Sequence, residues 1–460
     1  MPHGGIKVNA KQVVFLCVAV LILAAVSSPR VAAQQQMSKQ SRESAETMLQ
    51  NIAAEIKKNY YDPKFHGLDW DAVVAETKQK IDKSDRFDMA ILHIAALVDS
   101  LNDSHTTLFP PHKVLNTPAH VANWRALLQL TDKRHDYGWR SEIIGERCFV
   151  THVLPGSDAE KKGLHVGDEL LSMNGYRPER ASIQQADYVF NVLRPQDQLK
   201  VEVIDPTGTK KQLTVAAKVQ QIMPMSQLEQ GARAIHRAED LERTSNPRYA
   251  EFGEDLAILK LPDFYLSFDA VQGLIDKARK HKALIIDLRD NPGGAEETLQ
   301  HLLGGFFDHE VKMGDRVMRN DRKPLMAKPL HSFEGKIIVL VDSNSMSAAE
   351  IFSRVVQIEK RGLVMGDRSG GSVMEARYYP YQLFGSSIYY GVSITQADLI
   401  MADGKSLEHV GVMPDEVLIP TASDLAKGLD PVLAHAAETL GVKLSPEQAG
   451  KLFPYEWPPE

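Results

Sequence analysis

Apolar residues recur every three or four positions in the first part of the chain, over residues 45–56, 70–81 and 87–101. This spacing gives each segment one apolar face and predicts three amphipathic helices. The third pattern breaks at the polar residues 102–105, with the sequence Asn-Asp-Ser-His. We therefore predict a helical N-terminal module over residues 34–115.

The pattern then shortens, and alternating apolar and polar positions predict β-strands separated by turns that contain glycine. One helical stretch, at residues 183–193, interrupts them. We expect a β-rich domain over residues 116–218. The polar segment 219–253 carries mixed charges without strand alternation and is interpreted as a connector. The predicted strands of the β-rich domain are 148–154, 169–173 and 199–204.

In the last part of the chain, short apolar runs alternate with amphipathic helical segments. Such alternation is typical of an α/β domain with parallel strands. We therefore predict an α/β core over residues 254–460. Its predicted strands are 257–261, 283–288, 337–341 and 363–365, and its predicted helices are 268–279, 296–306 and 348–358.

The N-terminus differs from the rest of the chain. Lys7 and Lys11 precede an apolar run at residues 13–26, and small residues follow at positions 31–33. This order is typical of a secretory signal peptide, here residues 1–33. A membrane-anchoring helix is the alternative, but the run is shorter than the ~20 apolar residues that span a bilayer. We expect a periplasmic or secreted protein with no membrane span after signal removal.

Composition excludes several classes of function. The chain has 53 basic and 60 acidic residues and a net charge of -7, so no global positive field favours nucleic-acid binding. Removal of the signal would take away Cys17 and leave Cys148 alone, which rules out an internal disulfide or a metal site built from several cysteines. The chain also lacks a His-Glu-x-x-His motif, and we expect no metal and no other cofactor.

Ser347 lies where a nucleophile is expected. It follows the apolar run 337–341 and begins a helix, so the free N–H groups of the first helical turn can stabilise negative charge near its hydroxyl. An ordinary helix N-cap is the alternative, and Ser343 and Ser345 are interpreted as serines that only shape the turn.

A second turn between a strand and a helix, residues 287–294, has the sequence DLRDNPGG. Its two glycines allow the backbone to approach a ligand and to present an N–H group. A tight connection without a binding role is the alternative. The turn lacks the Lys-Ser/Thr ending of a phosphate-binding loop, which argues against a nucleotide ligand.

Residues 153–175, VLPGSDAEKKGLHVGDELLSMNG, resemble the signature of a bacterial PDZ domain. The resemblance implies a sheet edge that accepts a peptide as an added strand, and a loop whose N–H groups hold a terminal carboxylate. We place this peptide-binding loop at Tyr137, Gly138, Trp139 and Arg140, a sequence that differs from the usual Gly-Leu-Gly-Phe. The alternative is a PDZ fold that serves only as a spacer or lid.

Four segments resemble, in this order, the core of the tail-specific (carboxyl-terminal processing) protease family, which includes the tricorn protease core. The resemblance spans about residues 43–440 and implies an α/β spiral core of the ClpP/crotonase type with a helical front and a PDZ insert. Within the second segment, SNSMSAAEIF, Ser347 matches the family nucleophile. The four segments are 287–294, 343–352, 366–371 and 411–415.

The general base differs between branches of this family. The Ser-Lys branch carries a lysine at the position of Ser372, so that pair is not supported here. Residues 102–106 instead resemble the tricorn-like branch, which implies His105 as general base, oriented by Ser104 and a distant glutamate. An imidazole with a pKa near 6.5 accepts a proton from serine at neutral pH. Glu408 is the candidate glutamate, and a surface carboxylate is the alternative reading of it.

The resemblance implies acyl transfer without a metal. Ser347 would attack a peptide carbonyl, and the N–H groups of Gly293 or Gly294 and of Ala348 would hold the oxyanion. His409, beside the candidate glutamate, is the rival general base.

These observations favour a serine endopeptidase that acts on unfolded proteins or peptide tails, with the PDZ domain recruiting substrate or gating the site. The first alternative is a catalytically inactive PDZ-bearing scaffold that binds peptides. The second is a different hydrolase on the same core, because specificity depends on the shape of the site. The sequence predicts no particular oligomeric state.

Overall fold

A computed structural model describes residues 37–113, 133–221, 246–383 and 388–457. The predicted signal peptide lies outside the described residues, as does most of the predicted connector. Within the described ranges no helix combines the length and the apolar character that crossing a bilayer requires.

Helices and strands are numbered here along the chain. A 3-10 turn lies at Phe65–Gly67, and a π-helical turn at Val189–Leu193 continues the fifth helix. The α-helices are α1 (Lys39–Asn59), α2 (Trp70–Lys83), α3 (Phe87–Asp99), α4 (Asp158–Lys161), α5 (Ile183–Tyr188), α6 (Phe268–Ala278), α7 (Glu296–Gly304), α8 (Ala348–Ile358), α9 (Ala422–Ala426), α10 (Pro431–Thr439) and α11 (Pro446–Gly450). The strands are β1 (Thr107–Lys113), β2 (Lys133–Asp136), β3 (Trp139–Ile144), β4 (Arg147–Val153), β5 (Glu169–Met173), β6 (Gln198–Ile204), β7 (Lys210–Ala216), β8 (Lys218–Gln221), β9 (Arg248–Phe252), β10 (Leu256–Lys260), β11 (Ala283–Asp287), β12 (Val311–Met318), β13 (Arg322–Ala327), β14 (Lys336–Val341), β15 (Leu363–Gly366), β16 (Met374–Gln382), β17 (Ile388–Met401) and β18 (Glu416–Val417).

The helices α1, α2 and α3 pack around one apolar core and confirm the three helices predicted from residue spacing. Met48 and Ile52 of α1 and Ile94 of α3 are fully buried in it. The N-terminal module is not wholly helical, because β1 follows α3 and pairs antiparallel with β17. The polar segment 102–106 therefore lies between a helix of the module and a strand that joins the core.

The β-rich domain contains an antiparallel sheet in the order β3-β4-β5-β6-β7. The helix α5 packs against this sheet with Ala186, and Phe190 of the following π-helical turn joins the same core. The predicted strands 148–154, 169–173 and 199–204 correspond to β4, β5 and β6. Before and after this sheet, β2 and β8 pair antiparallel with each other.

The predicted connector contains strands at both of its described ends. Its first residues belong to β8, and its last residues include β9, which pairs antiparallel with β10 at the edge of the core sheet. The side chains of β9 are half-buried or exposed. An edge strand of this kind lacks the apolar alternation that marks a strand facing a core.

The core contains a six-stranded sheet in the order β18-β15-β14-β11-β10-β9. The pairs from β10 to β18 are parallel, as the alternation of strands and helices predicted. Side chains on one face pack against α6, α7 and α8, and those on the other face pack against α10. The predicted strands and helices of the core correspond to β10, β11, β14, β15, α6, α7 and α8.

A second sheet, which the sequence did not predict, packs against the same helices. Its strands run antiparallel in the order β1-β17-β12-β13, with β16 also paired to β17. Leu325, Leu399 and Met401 of this sheet share one apolar core with α7 and α8. Much of β16 is half-buried or exposed and contains Pro380, which obscures the strand pattern. The helices α7 and α8 thus contact both sheets.

Candidate active site

Ser347 lies at the turn between β14 and α8, with an unusual backbone conformation. Its φ is 53° and its ψ is -116°, a sparsely populated region for a residue with a side chain. Its N–H group donates to the carbonyl of Ser372 at 3.0 Å and to Oε2 of Glu350 at 3.0 Å. These two acceptors hold the strained turn, which projects Ser347 away from the end of the strand.

Glu350 is a fully buried carboxylate in the first turn of α8. Besides Ser347, it accepts hydrogen bonds from the hydroxyl of Ser369 at 2.6 Å and from the N–H groups of Gly371 at 2.7 Å and Ser372 at 2.9 Å. Burial raises the pKa of Glu350 to about 7, against the opposing effect of these hydrogen bonds. Glu350 therefore ties the turn at Ser347 to the loop 369–372.

Sequence reasoning gave Glu350 no role. It stands three residues after Ser347, which is the spacing of a helix capping box, and this signal was available in the sequence. The spacing did not reveal that the carboxylate of Glu350 is buried, or that it accepts hydrogen bonds from the loop 369–372.

His105 is linked to Glu408 through Ser104. The Nδ1 atom of His105 lies 2.7 Å from Oγ of Ser104, whose hydroxyl donates to Oε2 of Glu408 at 3.0 Å. The N–H group of Ser104 donates to Oε1 of Glu408 at 2.7 Å, and the N–H of Val373 donates to Oε2 at 2.8 Å. The structure thus brings together His105, Ser104 and Glu408, which are far apart in the sequence.

This chain of hydrogen bonds sets the tautomer of His105. A serine hydroxyl has one proton, and that of Ser104 is directed to Glu408. The Nδ1 atom of His105 must then be the donor to Oγ of Ser104. The Nε2 atom consequently carries the lone pair that a general base needs.

The side chain of Glu408 is largely buried, so it is not the surface carboxylate of the alternative reading. Burial and the charge of Asp103 raise the pKa of Glu408, whereas His409 and the hydrogen bonds from the N–H groups of Val373 and Ser104 oppose this effect. Burial also lowers the pKa of His105. A neutral imidazole is therefore the favoured form near neutral pH.

One cavity of about 280 Å³ contains both halves of the predicted machinery. Ser104 and His105 line it together with Ser347 and Ala348. These residues lie more than two hundred positions apart, and the pairing of β1 with β17 is what carries the histidine loop to the core.

Apolar side chains form much of the remaining cavity wall. They come from the helices α7 and α8 and from the second sheet, so the cavity opens between these layers. Two carboxylates, Glu296 and Glu375, also line it, and both form ion pairs with Arg316. The aliphatic lining residues are Leu299, Leu325, Met346, Ile351, Met374 and Leu399.

The glycine pair lies against Ser347, but its two N–H groups differ. A Cβ atom on Gly293 would lie 2.7 Å from the Cβ of Ser347, which explains the need for glycine. The N–H of Gly293 donates to Oδ1 of Asn291 at 2.8 Å, so it is not available to an oxyanion. Gly294 lines the cavity, and its N–H, like that of Ala348, has no hydrogen-bond partner among the described residues. Of the two glycines predicted as alternatives, Gly294 is the one whose N–H is free of such a bond among the described residues.

The two other positions considered for a general base, residues 409 and 372, differ from His105 in their surroundings. His409 is about half exposed, its Nε2 lies 2.9 Å from the carbonyl of Asn102, and it is not among the residues that line the cavity. Ser372 lines the cavity and contacts Ser347 through its carbonyl. The position at which the Ser-Lys branch has a lysine is therefore adjacent to Ser347, and here it carries only a hydroxyl.

The predicted peptide-binding loop at Tyr137–Arg140 already has internal partners. Tyr137 is buried and its hydroxyl donates to the carbonyl of Gln196 at 2.9 Å. The N–H of Gly138 donates to Asp136 at 2.8 Å, and Trp139 begins β3. The guanidinium of Arg140 contacts the hydroxyl of Tyr455 at 2.9 Å and Asp290 at 3.2 Å. In this conformation the loop is not an open cradle for a carboxylate.

The PDZ domain is fixed to the core beside the cavity. Arg180 forms a largely buried ion pair with Asp367 at 2.6 Å, and the hydroxyl of Ser343 donates to the carbonyl of Ile143 in β3 at 2.6 Å. Gln184, at the start of α5, lines the cavity itself. Sequence reasoning missed Arg180 and Gln184, because single polar residues on a helix or turn carry no local sign of a contact between domains.

Three segments of the chain match known families. Residues 255–418 match peptidase family S41, residues 128–204 match a PDZ domain, and residues 41–86 match the tricorn protease C1 domain. These matches confirm the resemblance inferred from the motifs.

Two curated relatives are of similar sequence. The tail-specific protease of Haemophilus influenzae is 25% identical over 339 residues, which cover 70% of this chain and 46% of that protein. The chloroplastic C-terminal processing peptidase of Tetradesmus obliquus is 24% identical over 381 residues, which cover 79% of this chain and 75% of that protein. The chain thus spans about half the length of the first relative and three quarters of the second.

The crystal structure of mature CPAF has a similar fold. It aligns with a TM-score of 0.62 at 15% identity, covering 87% of this chain and 96% of that one. Together with the family matches, this similarity confirms an α/β core with a helical N-terminal region and a PDZ domain.

Proposed function

The chain belongs to peptidase family S41, and we propose that it is a periplasmic or secreted serine endopeptidase that cuts unfolded proteins or peptide tails. Ser347 is the nucleophile and His105 is the general base. Ser104 and Glu408 orient the base, and the N–H groups of Gly294 and Ala348 bind the oxyanion.

One observation carries this proposal. The hydrogen-bonded chain from Glu408 through Ser104 to His105 opens into the same cavity as Ser347. A serine, an imidazole and a buried carboxylate in one cavity are the parts that acyl transfer needs.

In the acylation step, Nε2 of His105 takes the hydroxyl proton of Ser347 while Oγ forms a bond to the peptide carbonyl carbon. The carbonyl oxygen becomes an oxyanion, which the N–H groups of Gly294 and Ala348 receive. The C–N bond then breaks, and His105 gives its proton to the leaving amine. Water repeats the sequence on the acyl ester and regenerates the free serine.

Ser104 and Glu408 hold the imidazole in the productive tautomer. Because Nδ1 donates to Ser104 and Ser104 donates to Glu408, rotation of the ring would break this chain. A wrong tautomer or orientation of the histidine in such a site costs several orders of magnitude in kcat. These two residues therefore act through His105 rather than on the substrate.

Two features support an extended polypeptide as substrate. The cavity combines an aliphatic wall with hydrogen-bonding groups at Ser347, and relatives of this chain are named tail-specific protease and C-terminal processing peptidase. The PDZ domain suits recruitment or gating, because β3 is an edge strand and Gln184 reaches the cavity. Release outside the cytoplasm is supported by the signal-peptide pattern of residues 1–33.

The test is cleavage of an unstructured, fluorescently quenched polypeptide by the chain from residue 34 to residue 460. Ser347→Ala and His105→Gln should each lose turnover by about a thousandfold or more. Ser372→Ala is the matched control and should keep turnover, because only the backbone of Ser372 is hydrogen-bonded to Ser347 and Glu350.

Two results would contradict the proposal. If turnover survives His105→Gln, another residue must be the general base, and His409 is the next one to test. Peptide binding by the wild-type chain without any cleavage would instead favour the scaffold.

A further inference from the structure

Asp103 directly precedes the Ser104–His105 pair and has no part in the mechanism above. We propose that Asp103 is a positioning residue for the general base: it fixes the backbone of His105 and supplies the negative charge that favours the protonated ring. Glu408 then acts on the ring only through Ser104. This inference rests on the proposed function of His105.

One carboxylate oxygen of Asp103 organises the loop that carries the base. Oδ1 accepts hydrogen bonds from the N–H of His105 at 3.0 Å and from the N–H of Thr106 at 2.7 Å. It also accepts from the hydroxyl of Thr395 in β17 at 2.7 Å. The same oxygen therefore joins the backbone of the base to a strand of the core.

The partner of Asp103 in β17 is itself fixed. Thr395 is fully buried, its N–H donates to Oγ1 of Thr106 at 3.1 Å, and its hydroxyl oxygen lies 3.1 Å from that of Thr106. A carboxylate held by three donors, two of them in a buried network, is not a freely rotating surface group.

The other oxygen of Asp103 has no cationic partner. Oδ2 of Asp103 and the hydroxyl of Tyr60 are both buried. Burial, then the charge of Asp103 and then a hydrogen bond with Asp103 raise the pKa of Tyr60. No ion pair to Asp103 occurs in the described part of the chain. Because Oδ2 is buried, its charge is less screened by solvent than a surface charge would be.

The imidazole responds to this charge. Burial lowers the pKa of His105, and the charge of Asp103 opposes that effect. Glu408 differs, because its oxygens accept three hydrogen bonds, from the N–H and hydroxyl of Ser104 and the N–H of Val373. In a Ser-His-Asp triad one carboxylate both orients the ring and stabilises its charge. Here the two tasks fall to different residues.

Other titratable groups surround the histidine loop, and an isosteric change at Asp103 leaves all of them in place. They lie on the ends of α1 and α3, on β17 and the segment after it, and across the cavity. They are Tyr60, Tyr61, Asp99, Asp398, Glu408, His409, Glu296 and Glu375.

The experiment uses Asp103→Asn in the chain from residue 34 to residue 460. Asparagine keeps an acceptor oxygen for the N–H groups of His105 and Thr106 but removes the charge. Two quantities are measured: kcat/KM from pH 5 to 9, and the NMR titration of the His105 ring, assigned by its absence in His105→Gln. We expect the acid limb of the pH profile and the titration midpoint of His105 to move to lower pH, and kcat to fall about tenfold.

Asp62→Asn is the matched control. Asp62 lies near Tyr60 and accepts N–H groups of Lys64 and His66, not of the histidine loop. This variant should leave the midpoint of His105 and kcat as in the wild type. Thr395→Val is a second variant that removes one donor to Asp103 without changing charge, and it should not lower the midpoint.

The two hypotheses fail in different ways. An unchanged midpoint of His105 in folded Asp103→Asn, checked by circular dichroism, overturns the role of Asp103. A fall in the midpoint with Thr395→Val equal to that with Asp103→Asn overturns it as well, because geometry rather than charge would then be the cause. Loss of the peptidase function would appear as absent wild-type turnover, while the titration of His105 would still be readable.

Discussion

The two halves of the candidate site are held by different means. The nucleophile half, Ser347 with Glu350 and the loop 369–372, lies within one region of the core and depends on a strained backbone and one buried carboxylate. The base half, Ser104 and His105 with Glu408, is assembled from two distant segments by side-chain hydrogen bonds. The first half is part of the hydrophobic core, whereas the second depends on the docking of the N-terminal module. We therefore expect damage to the first half to affect stability and catalysis together, and damage to the second to affect mainly catalysis.

The largest expected effect comes from removing both reacting groups. Ser347→Ala and His105→Gln should each reduce kcat by about a thousandfold or more, and the double variant should be little worse than either single variant. This non-additivity is measured with single-turnover kinetics on the quenched polypeptide. Additive losses would mean that the two halves do not act as one unit.

Glu350→Gln should reduce kcat by about a hundredfold and the free energy of unfolding by about 1–3 kcal/mol, because the new amide group faces donors and leaves them unpaired. The N–H of Ser347 would lose an acceptor that holds the strained turn. Denaturant unfolding together with kcat measures both effects. A loss of kcat with unchanged stability would contradict the expected link between the two in the nucleophile half.

Glu408→Gln should lower kcat by about a hundredfold with little change in KM, because the tautomer of His105 is no longer fixed. It should lower the free energy of unfolding less than Glu350→Gln does, since Glu408 accepts three hydrogen bonds and Glu350 accepts four. The amide can still accept from Ser104, but the charge that fixes the direction of the hydrogen-bond chain is lost. The comparison with Glu350→Gln is made under identical conditions. Equal destabilisation by the two changes would remove the distinction between the halves.

The smallest expected effect is a dependence of thermal stability on pH. The pKa of Glu350 in the folded protein is raised to about 7, so its stabilising contribution is complete below the ordinary pKa of glutamate and is lost as the pH rises to about 7. The Tm of the wild type minus that of Glu350→Gln should therefore be larger at pH 4.5 than at pH 8. Subtracting the two Tm values removes the contribution of every other group whose pKa is the same in both proteins. A difference that grows with pH would show that the pKa is lowered instead.

The nucleophile half could be predicted from the sequence because its signals are local. Ser347 follows a buried strand and begins a helix, and the glycine pair follows the neighbouring strand. The carboxyl ends of parallel strands lie at one edge of a sheet, which brings the two turns together. The choice between Gly293 and Gly294 needed coordinates, because it depends on which N–H is engaged by Asn291.

The base half could be predicted only by resemblance. Among sixteen histidines, no spacing singles out His105. Its position in the cavity that Ser347 also lines depends on the pairing of Thr107 with Ser393, a contact between strands that the sequence did not reveal. The partly exposed strands of the second sheet, which carry this contact, have no clear apolar alternation.

The pairing of β2 with β8 has a practical consequence for modularity. Because Lys133–Asp136 lies antiparallel to Lys218–Gln221, the chain enters and leaves the PDZ domain at neighbouring points. A domain with closely spaced ends can be exchanged or excised without stretching its host. This chain is therefore a suitable host for grafting, because other recognition domains with adjacent termini can be joined to it at the β2–β8 pair.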